Sequence, residues 1–350
     1  MRDPVKTIGR VLVALATLYF TPSFGQTYTA TALPSLGGQF TVATGINSAG
    51  TVVGYSIDSS YVTRATLWNR GAVTQLSTLG GSLGHATAVN SSGQVAGYSD
   101  TAADATSVAA IWNGQTASNQ GTLGGYLSYA YAINDSGETV GASTLTITAA
   151  QRYTHATLWK DGTAIDLGTL GGISGSVRGS AAMGINASGT IVGFSDTASS
   201  GAQHAALWHG TIVTDLGTLG GNSSAAYGIS AAGQVVGQSD IAGNEAQHAT
   251  LWNGPTAFDL GTLGGNSSAA FGINTASHVV GTSQTRRNAQ HAALWIGGRI
   301  LDLNALISPA LPSNVILTVA VAINDNGQIA AYGNDSRTGG TDAFLLTPSP

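Results

Sequence analysis

The 350-residue chain has no cysteine, which excludes disulfides, thiolate metal sites and a cysteine nucleophile. Charge is scarce as well: Asp, Glu, Lys and Arg make up 8% of the chain, against roughly 25% in typical globular proteins. Twelve basic against seventeen acidic residues leave a formal charge of −5, which argues against nucleic acid or an anionic membrane surface as partner. Helical periodicity is missing beyond residue 25, and no apolar run reaches the roughly 20 residues of a bilayer-spanning helix. Disorder does not follow from the low charge, because hydrophobic residues reach 43% and can build a core. What is abundant is glycine, 49 residues of it, among short runs of small and β-branched residues, the composition of many strands joined by tight turns.

The first 25 residues read as a signal peptide. Arg2, Lys6 and Arg10 form a positive n-region, Val11 to Phe20 an apolar stretch too short to span, and Ser23 and Gly25 the small residues of a cleavage site. The expectation is an exported monomer, extracellular or periplasmic, with no membrane span after cleavage. Residues 26–350 then form one repeat domain.

Self-similarity governs that domain. Thr169-Leu170-Gly171-Gly172 recurs at residues 78–81, 122–125, 218–221 and 262–265, with Ser35-Leu36-Gly37-Gly38 as a variant. The steps between the leucines are 43, 44, 47, 49 and 44 residues. After each comes a segment like Gly184-Ile185-Asn186, then one like Ile191-Val192-Gly193, then one like His155-Ala156-Thr157-Leu158-Trp159. All six tryptophans hold one module position. Each module reads as four strands, with turns such as Asn134-Asp135-Ser136-Gly137, where Asn caps and Gly takes positive φ. Asn113-Gly114 and Asn253-Gly254 read as two-residue hairpin turns.

Four strands per module of about 44 residues is the period of a β-propeller blade. Six modules are complete. The seventh begins near Leu306 and stops after Asp342-Ala343-Phe344-Leu345-Leu346, lacking a fourth strand, while residues 28–33 form an orphan strand ahead of the first module. The two defects complement one another if the N-terminal strand completes the last blade. The fold class expected is therefore all-β, a seven-bladed propeller closed by that strand; the alternative is an open β-solenoid, which would want polar caps at both ends.

His155, His204, His248 and His291 each precede an aspartate by eleven residues: Asp166, Asp215, Asp259 and Asp302. Modules with Arg64 or Val108 at the histidine position have Gln75 or Asn119 in the partner slot. Taking Asn253-Gly254 as the turn places His248 directly opposite Asp259, within hydrogen-bonding reach. Such a pair could be a metal ligand set or a base with its orienting carboxylate. Four copies on four separate blades cannot converge on one site, so the expected role is a structural clasp buried between blades. No catalytic residue, metal ligand or cofactor is assigned.

Strand alternation puts the second-to-third loops and the Leu-Gly-Gly crossovers on one face. These loops vary most, from residues 144–154 to shorter ones such as 240–247, so this is the expected binding face. Candidate binding residues there are Asp100, Asp196 and Asp240, an acidic rim, with Arg286 and Arg287; an Asx turn is the plainer role for each aspartate. His85, His209 and His278 each occur in one module only, where an asymmetric site would recruit.

Asp-Leu-Gly-Thr-Leu-Gly-Gly, Gly-Ile-Asn, Val-Val-Gly and His-Ala-x-Leu-Trp in that order resemble the HAF-repeat family of extracellular bacterial repeat proteins, over roughly residues 27–347. The chain departs from the pattern where Phe should follow His-Ala; Thr157, Ala206, Thr250 and Ala293 stand there, and only Phe344 keeps the aromatic. The resemblance implies export and repeats and brings no catalytic residue with it. The function expected is a secreted scaffold that binds a glycan, a peptide or a surface partner on its loop face. The alternatives are an extracytoplasmic hydrolase or lyase with its site at the channel mouth, and a purely structural surface component.

Overall fold

The computed structural model describes residues 26–148, 151–171, 179–198 and 202–349. The segment read as a signal peptide, residues 1–25, lies outside them. Six antiparallel four-stranded sheets follow one another as blades 1 to 6, at residues 37–75, 80–119, 124–166, 180–217, 220–259 and 264–302. Blade 7 contains Val315–Ile323, Ile329–Asp335 and Gly340–Pro348, and its fourth strand is Tyr28–Ala32. That strand runs antiparallel to the third, from Tyr28 opposite Pro348 to Ala32 opposite Phe344. The N-terminal strand thus completes the last blade.

First strands of successive blades touch all round, and the first strands of blades 7 and 1 touch in the same way. First strands are therefore innermost, and the blades form a ring. In blades 1 to 6 the third residue of the second strand's Val-Val-Gly-like motif is glycine, which lets that strand lie close on the first: a Cβ added to Gly97 would sit 2.0 Å from the carbonyl oxygen of His85. Only hydrogen fits there.

Two devices hold blade to blade. Each buried tryptophan packs on the blade before its own: Trp112 against Val53 and Ala65, Trp252 against Val192 and Ala205, and Trp68 against Ala330 and Ala343 of blade 7. In every blade but the fifth, where Ser230 stands, the asparagine of the first-to-second turn does two jobs. Its Oδ1 accepts from a backbone amide four residues on, as Gln94 N donates to Asn90 at 2.9 Å. Its Nδ2 donates to the backbone carbonyl at the same place in the next blade, from Asn47 to Asn90 and Asn90 to Asn134, and from Asn324 back to Asn47 at 3.0 Å. The sequence reveals the cap but not the link. Closure by tryptophan and asparagine across the blade 7–blade 1 seam excludes the open solenoid.

One seam is built differently. Between blades 6 and 7 the Leu-Gly-Gly crossover is replaced by a 3-10 turn, Leu303–Leu306, and a longer connection. Leu346 takes the tryptophan position, opposite Ile329, and packs with Val280 and Ala292 of blade 6. The expected loop at residues 144–154 is also altered. Its described parts extend two strands, Thr139–Thr148 and Gln151–Lys160, into a long hairpin.

Candidate functional site

All four histidines reach their aspartates through Nδ1, at 2.9 Å for His155–Asp166, 2.7 Å for His204–Asp215, 2.8 Å for His248–Asp259 and 2.7 Å for His291–Asp302. The expected register is not the one found. Asn253 pairs with Thr256, so Gly254-Pro255 is the turn, and Asp259 lies opposite Thr250. Histidine and aspartate are diagonal neighbours on one face, a distance that imidazole can span. Burial is also less than expected: the carboxylates are 27–44% exposed.

Each aspartate also accepts from the amide two residues on, which lies in the crossover for Asp166, Asp215 and Asp259, as from Gly261 at 2.7 Å, and in the 3-10 turn for Asp302. Gly261 has φ of +73°, a conformation that suits glycine. Burial opposes ionisation of Asp166, but the hydrogen bonds from His155 and the Gly168 amide hold its carboxyl below the usual range. Where Arg64 replaces histidine it turns instead to Asp58, at 2.8 Å.

The proposed acidic rim is largely occupied with holding loops. Asp240 accepts from Gln247 Nε2 at 2.9 Å and from the Ser223 amide at 3.0 Å. Asp100 accepts from the Ser107 hydroxyl, and Asp196 is buried. These residues sit on blades 2, 4 and 5 and do not converge. Arg286 and Arg287 are exposed on the second-to-third turn of blade 6. The same turn leads to Ala289 and Gln290, which line a cleft of about 440 Å³ between blades 6 and 7.

That cleft follows from the altered seam. At the start of blade 4 the chain lies over the histidine of blade 3: a Cβ on Gly179 would be 3.1 Å from His155 Cδ2, and the Nε2 of His155 is buried without a partner. At the blade 6–7 seam His291 lines the cleft, together with Gln290, Tyr332, Asn334, Ser313 and Ile316. Asn334 holds the place of Asp100 and Asp240, but no crossover amide is there for it to cap. Among the described residues the side chains of Gln290 and Asn334 and the Tyr332 hydroxyl make no hydrogen bond. Asp335, beneath, is neutralised internally: the Asn314 amide first, then Arg337, hold its carboxyl below the ordinary range.

Blades 1 to 3 carry a row of aromatics, of which sequence reasoning singled out only His85. Tyr55 and His85 have ring centroids 4.3 Å apart, His85 and Tyr98 stack at 4.8 Å, and Tyr98 and Tyr129 meet edge to face at 4.9 Å. His85 lies directly across the sheet from Tyr98, as Val319 does from Tyr332 and Val42 from Tyr55. Burial pushes His85 down to about 4, with the charge of Asp100 pulling part of the way back. Burial, then the neighbouring phenols and Asp100, pushes Tyr98 up to about 12, so its hydroxyl keeps its proton. The signal was the residue after the Val-x-Gly motif, which is Tyr at 55 and 98 and Phe at 194 but Ala142, Gln238 and Thr282 in the other blades that keep the glycine. His209 is exposed at a strand end and His278 lies in a first-to-second turn. Among the described residues no group of three or more His, Cys, Asp or Glu side chains could hold a metal, and no helix is long and apolar enough to cross a membrane.

No family model matches the chain, and no curated protein matches it. Solved structures do. The β-propeller domain of the Trilobed protease from Pyrococcus furiosus is 12% identical over 75% of this chain and 98% of that one, with a TM-score of 0.39. TolB from Acinetobacter baumannii is 13% identical over 85% and 80%, TM-score 0.42. The Aleuria aurantia lectin, in complex with Fucalpha1-6GlcNAc, is 14% identical over 82% and 97%, TM-score 0.41. The likeness is one of shape. Sheet order and closure make the protein a seven-bladed β-propeller.

Proposed function

We propose that the protein is an exported binding scaffold that takes a neutral, hydroxyl-rich ligand, a glycan, in the cleft between blades 6 and 7. The observation that carries this is the missing crossover, which leaves Gln290, Asn334 and Tyr332 facing open space without partners. Carboxamides and a phenol donate and accept at once, as sugar hydroxyls do, and Ile316 and Val319 add an apolar wall. Asp302 engages Nδ1 of His291, so Nε2 is the ring nitrogen left for a ligand. Export and kinship with the HAF-repeat proteins complete this reading, on the strength of the n-region and the module motifs. The same His291–Asp302 pair is what a hydrolytic function would use as an oriented base.

The test is a thermal-shift panel of neutral and acidic oligosaccharides and peptides on the purified chain. A neutral sugar should raise the melting temperature by linkage. Asn334→Ala and Gln290→Ala should each weaken it about tenfold, one hydrogen bond's worth, with the unliganded melting temperature unchanged. Stabilisation by peptides alone would refute the glycan; release of reducing ends would favour the hydrolase.

A further inference from the structure

We infer that the ligand is an extended chain, whose units continue from the cleft along a wall of aromatic side chains on the inner strands of blades 7, 1, 2 and 3. The inference rests on the glycan reading of the cleft. Three observations carry it.

The wall is not demanded by the fold. Blades 5 and 6 fill the equivalent cross-strand positions with Ala225 and Gln238, and with Ala269 and Thr282, and close equally well. Blades 5 and 6 also carry a ring pair, Tyr227 and Phe271 at 5.5 Å, but it stands two residues further along the first strand, away from these cross-strand positions.

The wall is also continuous with the cleft. Tyr332 lines the cleft, and its strand packs on the first strand of blade 1, where Val42 lies opposite Tyr55. From Tyr55 the rings follow one another through His85 and Tyr98 to Tyr129 at centroid spacings of 4.3, 4.8 and 4.9 Å.

The third observation is polar. A buried tyrosine hydroxyl usually has a partner. Tyr332, Tyr55, Tyr98 and Tyr129 are half-buried, yet among the described residues none of their hydroxyls makes a hydrogen bond. A surface that is apolar in body and lined with unpaired hydroxyls suits the alternation of C–H faces and hydroxyls along a sugar chain. His85, kept neutral, adds no charge to it.

Affinities for the disaccharide and hexasaccharide of the cello-, xylo-, manno- and chito- series, measured by calorimetry, test this. The hexasaccharide of the recognised series should bind at least about tenfold more tightly than its disaccharide. Tyr98→Leu should remove that gain and leave the disaccharide unchanged. Tyr98→Phe, which deletes only the hydroxyl and keeps the packing, should remove part of it. Equal affinity for both lengths would overturn the wall as a subsite while leaving the cleft reading standing. If neither length binds, both readings fall together.

Discussion

At the scale of single residues, His85 shows how burial converts an ordinary side chain into a pH-dependent element of stability. In the unfolded chain it titrates near 6.5, and in the fold burial lowers it to about 4. Above pH 6.5 both states leave the ring neutral and there is no effect. As pH falls through the window from 6.5 to 4, the unfolded chain takes up a proton that the folded one refuses, so stability declines. The paired carboxylates act lower down. Asp58 is held low first by Arg64 and Glu138 by Lys160, so their contribution is lost only as pH falls below the normal carboxylate range. Replacing His85 with Phe keeps a stacking ring and removes the proton site. The fall in melting temperature between about pH 7 and pH 5 should therefore be smaller in His85→Phe than in the parent. His278, also lowered by burial, supplies part of what persists. An equal fall in both proteins would mean the imidazole is not kept neutral.

At the scale of the element, the third and fourth strands are pinned by one carboxylate that holds a histidine with one oxygen and a crossover amide with the other. At blade 5, away from the cleft, the expected role is structural alone. His248→Ala should cost about 1 kcal/mol, because the pair is partly solvated, and leave any glycan affinity unchanged. His291→Ala should cost a similar amount and also weaken the ligand. Calorimetric titration beside thermal melts checks both, and a His248→Ala protein that loses affinity at unchanged stability would contradict the division. The pairing was legible in sequence because both members change together: where Arg64 or Val108 replaces histidine, aspartate is gone as well. The register was not. Asn253-Gly254 is a strong hairpin signal, but Gly254, with φ of +59°, takes the first central position and Pro255 the second. That moves Asp259 opposite Thr250. The aromatic wall was harder still to read, because a tyrosine after Val-x-Gly looks the same whether it fills a seam or lines a surface; only the ring brings four blades' worth together.

At the scale of the whole molecule, stability depends on every seam, because a ring opens at its weakest one. Most seams carry an asparagine link, from Asn47 to Asn90, onward through Asn134 and Asn186, and from Asn274 through Asn324 back to Asn47. Between blades 5 and 6 Ser230 stands at this position. Its hydroxyl accepts from the Gln234 amide at 3.1 Å and so keeps the cap. A serine is too short to send an amide across, and the carbonyl of Asn274 receives no such link. Ser230 is buried, at 3% exposed, and the same backbone turn accommodates asparagine in the other blades. Ser230→Asn should therefore complete the belt and stabilise the protein by about 1 kcal/mol, the net worth of one added buried hydrogen bond. Asn90→Ala is the counterpart, costing roughly 2 kcal/mol, because it leaves the partly buried Gln94 amide without its acceptor and takes from the Asn134 carbonyl one of its two donors, the Gly137 amide remaining. Urea melts of the two variants test the idea, with the slope serving to show that unfolding stays cooperative. A Ser230→Asn protein no more stable than the parent, beside a strongly destabilised Asn90→Ala, would mean that the asparagines act as turn caps and that closure rests on the tryptophans alone.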